Sequence, residues 1–108
     1  MDRAVERTLY ALGLSANYVG FSQLAVALEI ALREPEALRR VTKYLYPETA
    51  RRCGTNWKAV ERNIRTMLRR AWRCAPGRLE EWAGCPLAGC PHPAQFIAIL
   101  IHHLGDMP

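Results

Sequence analysis

The 108-residue sequence has no apolar run near the roughly 20 residues that a membrane-spanning helix requires, which excludes a bilayer span. Its N-terminus, MDRAVERTLYALGL, mixes charge with apolar residues and lacks the apolar stretch of a signal peptide, so a cytoplasmic protein is expected. No segment alternates apolar and polar residues long enough for a strand, and no hairpin-turn dipeptide joins two such segments. Internal repeats and low-complexity linkers are missing as well. No motif brings a nucleophile, a base and an orienting group together, so neither an enzyme nor a bound cofactor is expected.

What the middle of the chain lacks most is acid. Between Arg39 and Arg73 stand eleven lysines and arginines against two acids, Glu48 and Glu61, while the rest of the chain holds four basic and eight acidic residues. The formal net charge of +5 conceals that asymmetry. Mean charge affects solubility, whereas localised charge selects partners, and a one-sided basic stretch suits nucleic acid or an anionic membrane surface.

What is present is helical periodicity, in a chain long enough for one domain with its own core. Half the residues are hydrophobic and 23% are charged, a globular rather than a disordered composition. The pattern predicts an all-α single domain of about six helices. A first helix covers residues 3–12 and stops near Gly13; a second covers 20–33 with Leu24, Ala27, Leu28 and Ala31 inward. Pro35 suits the first turn of a third helix, where a missing N–H costs nothing. That helix carries Leu38, Val41 and Leu45 on one side. Pro47 then starts a short fourth helix to about Cys53, where Gly54 supplies a tight turn. A long fifth helix runs over about 56–74, capped by Thr55 or Asn56 and ended by Ala75-Pro76-Gly77. A short helical piece at 79–82, the loop GCPLAGCPHP and a last helix at 94–103 complete the chain.

The fourth and fifth helices with Gly54 between them have the layout of a helix-turn-helix. Such a unit needs a small residue where the second helix crosses the first, a glycine in the turn, and an apolar anchor on the second helix. Ala50, Gly54 and Val60 stand at that spacing. An ordinary αα-corner has the same bare pattern.

On a wheel of about 100° per residue, Trp57, Val60, Ile64, Met67, Leu68 and Ala71 fall on one side of the fifth helix. Lys58, Arg62, Arg65 and Arg69 line the opposite side. A merely solvated face usually mixes signs at i,i+4; here one acid meets many bases, and a polyanion would supply the missing charge. Arginine can fork onto guanine O6 and N7, and a carboxylate can accept from cytosine N4, so Glu61 beside Arg62 is suited to reading a G/C step. Lys58, Arg65, Arg69, Arg51, Lys43 and Thr55 are the candidate phosphate contacts, which position the domain rather than specify sequence. A carboxylate aimed at phosphates is costly, so Glu61 either specifies sequence or points away.

The segments VTKYLYPETARRCGT, VERNIRTMLRRAW and QFIAILIHHL together resemble the C-terminal DNA-binding domain of the stage-zero sporulation protein A response regulator family, over about residues 9–104. The resemblance implies an all-helical fold of about six helices with a central helix-turn-helix, in a bacterial transcription regulator of sporulation. It implies binding to double-stranded DNA at boxes of the TGTCGAA type, often as a homodimer on paired sites, with Glu61 and Arg62 at base edges. The sigma subunit of RNA polymerase is a further expected partner. Where the family commonly carries an arginine before the valine of V-E-R, this chain has Ala59, with Lys58 one step earlier, so one contact is lost or displaced. The family also joins this domain to an N-terminal receiver, for which 108 residues leave no room, so the sequence is either an orphan effector domain or an excised one.

Cys85, Cys90 and His92 share one Pro/Gly-rich loop, with Cys74 and Cys53 elsewhere. C-x4-C-x-H offers three zinc ligands that Cys74 would complete to a tetrahedron. The spacing lacks the two-knuckle regularity of a zinc ribbon, and a reducing cytoplasm disfavours a disulfide. The leading reading of these cysteines is therefore small apolar residues. His102 and His103 fall in the last helical turn, where imidazolium suits the helix dipole. Trp57, Trp72, Trp82 and Phe96 are expected in the core, with Trp57 near enough to the start of the fifth helix to brush a DNA sugar. Two rival functions remain beside DNA binding: a protein-interaction module contacting polymerase or a full-length regulator, and a zinc-dependent adaptor built on the cysteine loop.

Overall fold

The computed structural model describes residues 2–106. Among these residues six α-helices form: α1 (Arg3–Ala11), α2 (Val19–Arg33), α3 (Tyr46–Cys53), α4 (Trp57–Cys74), α5 (Pro76–Ala83) and α6 (Pro93–Gly105). There is no strand among the described residues. Asp2 caps α1 with its carboxylate, accepting from the Ala4 and Val5 N–H groups.

The centre of the molecule is α2. Phe21, Leu24, Ala25, Ala27, Leu28, Ile30 and Ala31 are all buried, so the helix is apolar around most of its circumference, as a helix packed on several sides must be. It meets the stripe Val60, Ile64, Met67, Leu68 and Ala71 of α4, and Phe96, Ile97, Ile99, Leu100 and Leu104 of α6, in one continuous core. The α2–α4 crossing is tight at Gly20. A Cβ there would stand 2.6 Å from the Asn63 carbonyl oxygen and 2.8 Å from Met67 Cγ. Asn63 Nδ2 donates to Gln23 Oε1 across the same crossing at 3.0 Å, which fixes the register of α4 on α2.

The region between α2 and α3 departs from the single helix expected from Pro35 through Leu45, whereas the helix expected from Pro47 to about Cys53 forms as α3. Pro35 does open a helical segment, but it is a 3₁₀ turn, Pro35–Arg39, that breaks at Arg40 with φ −135° and ψ 49°. Val41–Leu45 then forms a π-helical turn that runs directly into α3. The Tyr44 and Leu45 N–H groups both donate to the Arg40 carbonyl, at 2.8 and 3.0 Å. Pro47 explains the widening: it lacks an N–H, and in a regular α-turn its ring would press on the Lys43 carbonyl. Pro47 takes the first turn of α3, as expected, and the π turn leads into that helix without a break. Pro76 likewise takes the first turn of a helix, α5, so that the helical piece expected at 79–82 extends over Pro76–Ala83.

Candidate nucleic-acid interface

Helices α3 and α4 are joined by three residues. Gly54 adopts φ 69° and ψ 35°, the left-handed region that only glycine enters at little cost. The N–H groups of Gly54 and Thr55 both turn back to the Ala50 carbonyl, the latter at 2.9 Å, satisfying the end of α3. Asn56, in extended conformation, caps α4 through its side-chain oxygen, which accepts from the Ala59 N–H at 2.9 Å. Of the two cap candidates, Asn56 is the one used. Ala50 and Val60 are both buried, the small residue and the anchor that the crossing requires.

The buried stripe of α4 leaves its opposite face to solvent. Lys58, Arg62, Arg65 and Arg69 are all exposed there, and none makes an ion pair with an acid among the described residues. Arg70 lies off this face, its guanidinium 4.1 Å from the centroid of the Tyr18 ring. Glu61 is half-buried at the edge of the basic face. It lines an open groove of about 370 Å³ with Arg39, Thr42, Arg65, His92 and the buried Tyr46. Burial pushes the Tyr46 hydroxyl up to about 12; the Glu61 charge adds to that and the Arg65 charge opposes it.

Arg51 is differently placed from the α4 cations. Glu48 accepts from Arg51 Nε and Nη2 at 2.9 and 2.7 Å and from Arg52 Nε at 2.8 Å. These hydrogen bonds hold the Glu48 carboxyl down at about 2. Arg51 is nonetheless 71% exposed. Lys43 and Thr55 are exposed as well.

Trp57 corrects the expectation of a core residue. At 42% exposure it stands open at the start of α4, since the first residue of the helix projects past the neighbours that bury Val60. Lys58 Nζ lies 5.8 Å from its ring centroid. Trp82 and Phe96 are core, and Trp72 is half-buried against it. The two histidines do more than complement a helix end. His103 stacks on Trp82 with ring centroids 3.9 Å apart and planes 14° apart, and His102 Nδ1 lies 3.3 Å from the Trp82 carbonyl, tying α6 to α5. Burial lowers the His103 pKa.

The four cysteines are free thiols, and Cys74, Cys85, Cys90 and His92 do not converge: no three His, Cys, Asp or Glu side chains form a metal-holding group among the described residues. Cys74 packs instead on the turn after α1, where a Cβ on Gly13 would stand 2.9 Å from its own Cβ. Nor is any helix among the described residues long and apolar enough to cross a membrane.

A glycine turn, a side-chain cap, a buried anchor and an outward basic face together define a helix-turn-helix protein. The family follows from comparison: the model described as Sporulation initiation factor Spo0A C terminal matches residues 5–104, nearly the whole chain. The chain belongs to this family, the DNA-binding effector domain of a sporulation response regulator, which is not a family of enzymes.

Proposed function

We propose that the protein is a sequence-specific transcription regulator whose α4 is the recognition helix, seated in the major groove of duplex DNA. Glu61 and Arg62 meet base edges there, the arginine forking onto guanine and the carboxylate accepting from cytosine. Lys58, Arg65, Arg69, Lys43 and Thr55 hold phosphates on either side, and Arg51 joins them in competition with Glu48. The observation that carries this reading is the outward face of α4, four exposed cations without an acidic partner among the described residues, on a helix anchored by a fully buried stripe. Binding of two copies to paired boxes, and a contact with the sigma subunit of RNA polymerase, belong to the reading by family membership alone.

Fluorescence anisotropy with a labelled duplex carrying tandem TGTCGAA-type boxes, beside a scrambled duplex, tests it at low and near-physiological salt. Preference for the boxes that survives the higher salt is the expected result. Equal binding to both duplexes, vanishing with salt, would reduce α4 to a basic surface. No binding at either salt would favour the interaction-module reading.

A further inference from the structure

The exposed indole of Trp57 has no task in the assignment just made. We infer that Trp57 is a specificity-determining residue, its ring packing on the C5-methyl group of a thymine beside the base step that Glu61 and Arg62 address. The inference rests on α4 being the recognition helix.

Among the described residues, four large hydrophobic residues are exposed: Tyr10, Val19, Leu32 and Trp57. The first three belong to α1 and α2, and only Trp57 is on the helix that carries the basic face. It occupies the first position of α4, the end from which recognition helices address bases. Side chains on a helix lean toward its N-terminus, so the indole reaches ahead of the helix rather than back over it. Trp57 precedes Glu61 by four residues, just over one turn and about 6 Å along the helix. A pair placed this way meets neighbouring base steps. The apolar feature of the major groove is the thymine methyl, and an indole has no acceptor with which to read an adenine or cytosine amino group. Lys58, with its Nζ beside the ring, sets a cation next to this apolar contact. Base edge and nearby phosphate would then be met by consecutive residues, in the stretch where Ala59 offers neither.

Replacing each thymine of both strands of the box by deoxyuracil, one at a time, removes a methyl group and leaves base pairing intact. Anisotropy titrations of wild type, Trp57→Ala and Trp57→Phe against this series test the inference, with circular dichroism confirming that the variants are folded. One position at which the wild type loses roughly fourfold on uracil substitution is expected, the effect of exposing one methyl group. Trp57→Ala should bind the thymine box more weakly and show no thymine/uracil difference at that position, while Trp57→Phe retains part of it. Four results overturn the inference: a wild type insensitive to uracil everywhere, Trp57→Ala binding like wild type, Trp57→Ala keeping the full uracil effect, or Trp57→Ala losing equally on box and scrambled DNA. Should the wild type show no preference for the box at all, it is the recognition-helix reading that has failed.

Discussion

Helices α3 and α4 both carry arginines toward solvent, yet the two sets are in different electrostatic states. On α3, Arg51 and Arg52 share the Glu48 carboxylate, so much of their charge is answered within one helical turn. On α4, Lys58, Arg62, Arg65 and Arg69 have no acid within ion-pair distance among the described residues. A count of charges along the sequence treats the two helices alike. What separates them is where the two acids fall. Glu48 sits at i−3 and i−4 to its arginines and bonds both. Glu61 lies at the edge of the basic face, lining the groove beside Tyr46, and forms no ion pair among the described residues. The uncompensated basic surface is therefore a property of α4 more than of α3.

The contrast can be broken at the base-reading end first. Arg62→Ala should cost about 1–3 kcal/mol in binding and relax the preference at one base pair, read by anisotropy on single-substitution boxes. A loss that is the same on every sequence would demote Arg62 to a phosphate contact. A comparable effect on stability is expected at the seat of the helix. Gly20→Ala forces a Cβ against the Asn63 carbonyl and should destabilise the fold by about 1–3 kcal/mol in urea melts, because backbone rather than a flexible side chain must give way. Unchanged stability there would mean that α4 can shift on α2 without cost.

Smaller effects sharpen the comparison from the α3 side. Glu48→Gln should free Arg51 and Arg52 and modestly raise affinity for any duplex, box or scrambled, with a steeper salt dependence. The same carboxylate sets a pH signature. Its pKa is lowered from 4.5 to about 2 by hydrogen bonds from Arg51 and Arg52, so the stabilisation it contributes is complete above 4.5 and is lost as pH falls toward 2. The loss should be slight and further reduced by salt, because the pair is solvent-screened. Thermal melts of wild type and Glu48→Gln between those pH values should converge at the acid end.

Much of this arrangement is legible in the sequence. Asn56, the stripe from Val60 to Ala71 and the Ala50–Gly54–Val60 spacing are local signals, and each corresponds to a formed cap, a buried face and a closed turn. The missed features depend on contacts that no short window contains. Leu38, Val41 and Leu45 keep helical spacing although the chain breaks at Arg40, because the demands of Pro47 are met by a π turn that periodicity does not distinguish from an α turn. Trp57 fits the apolar side of a wheel, but a wheel has no ends and cannot register that the first residue projects beyond the core. The Trp82–His103 stack joins residues from two helices across a loop read mainly for its cysteines.

The claim that α4, unlike α3, presents uncompensated charge to DNA is tested most directly by salt slopes. Log affinity for the box duplex against log salt concentration should be measured for wild type, Lys58→Ala, Arg69→Ala and Arg51→Ala. Each α4 substitution is expected to lower the slope by about one, and Arg51→Ala by clearly less. Equal slopes for wild type and both α4 variants, or a larger drop for Arg51→Ala than for either, would contradict the account.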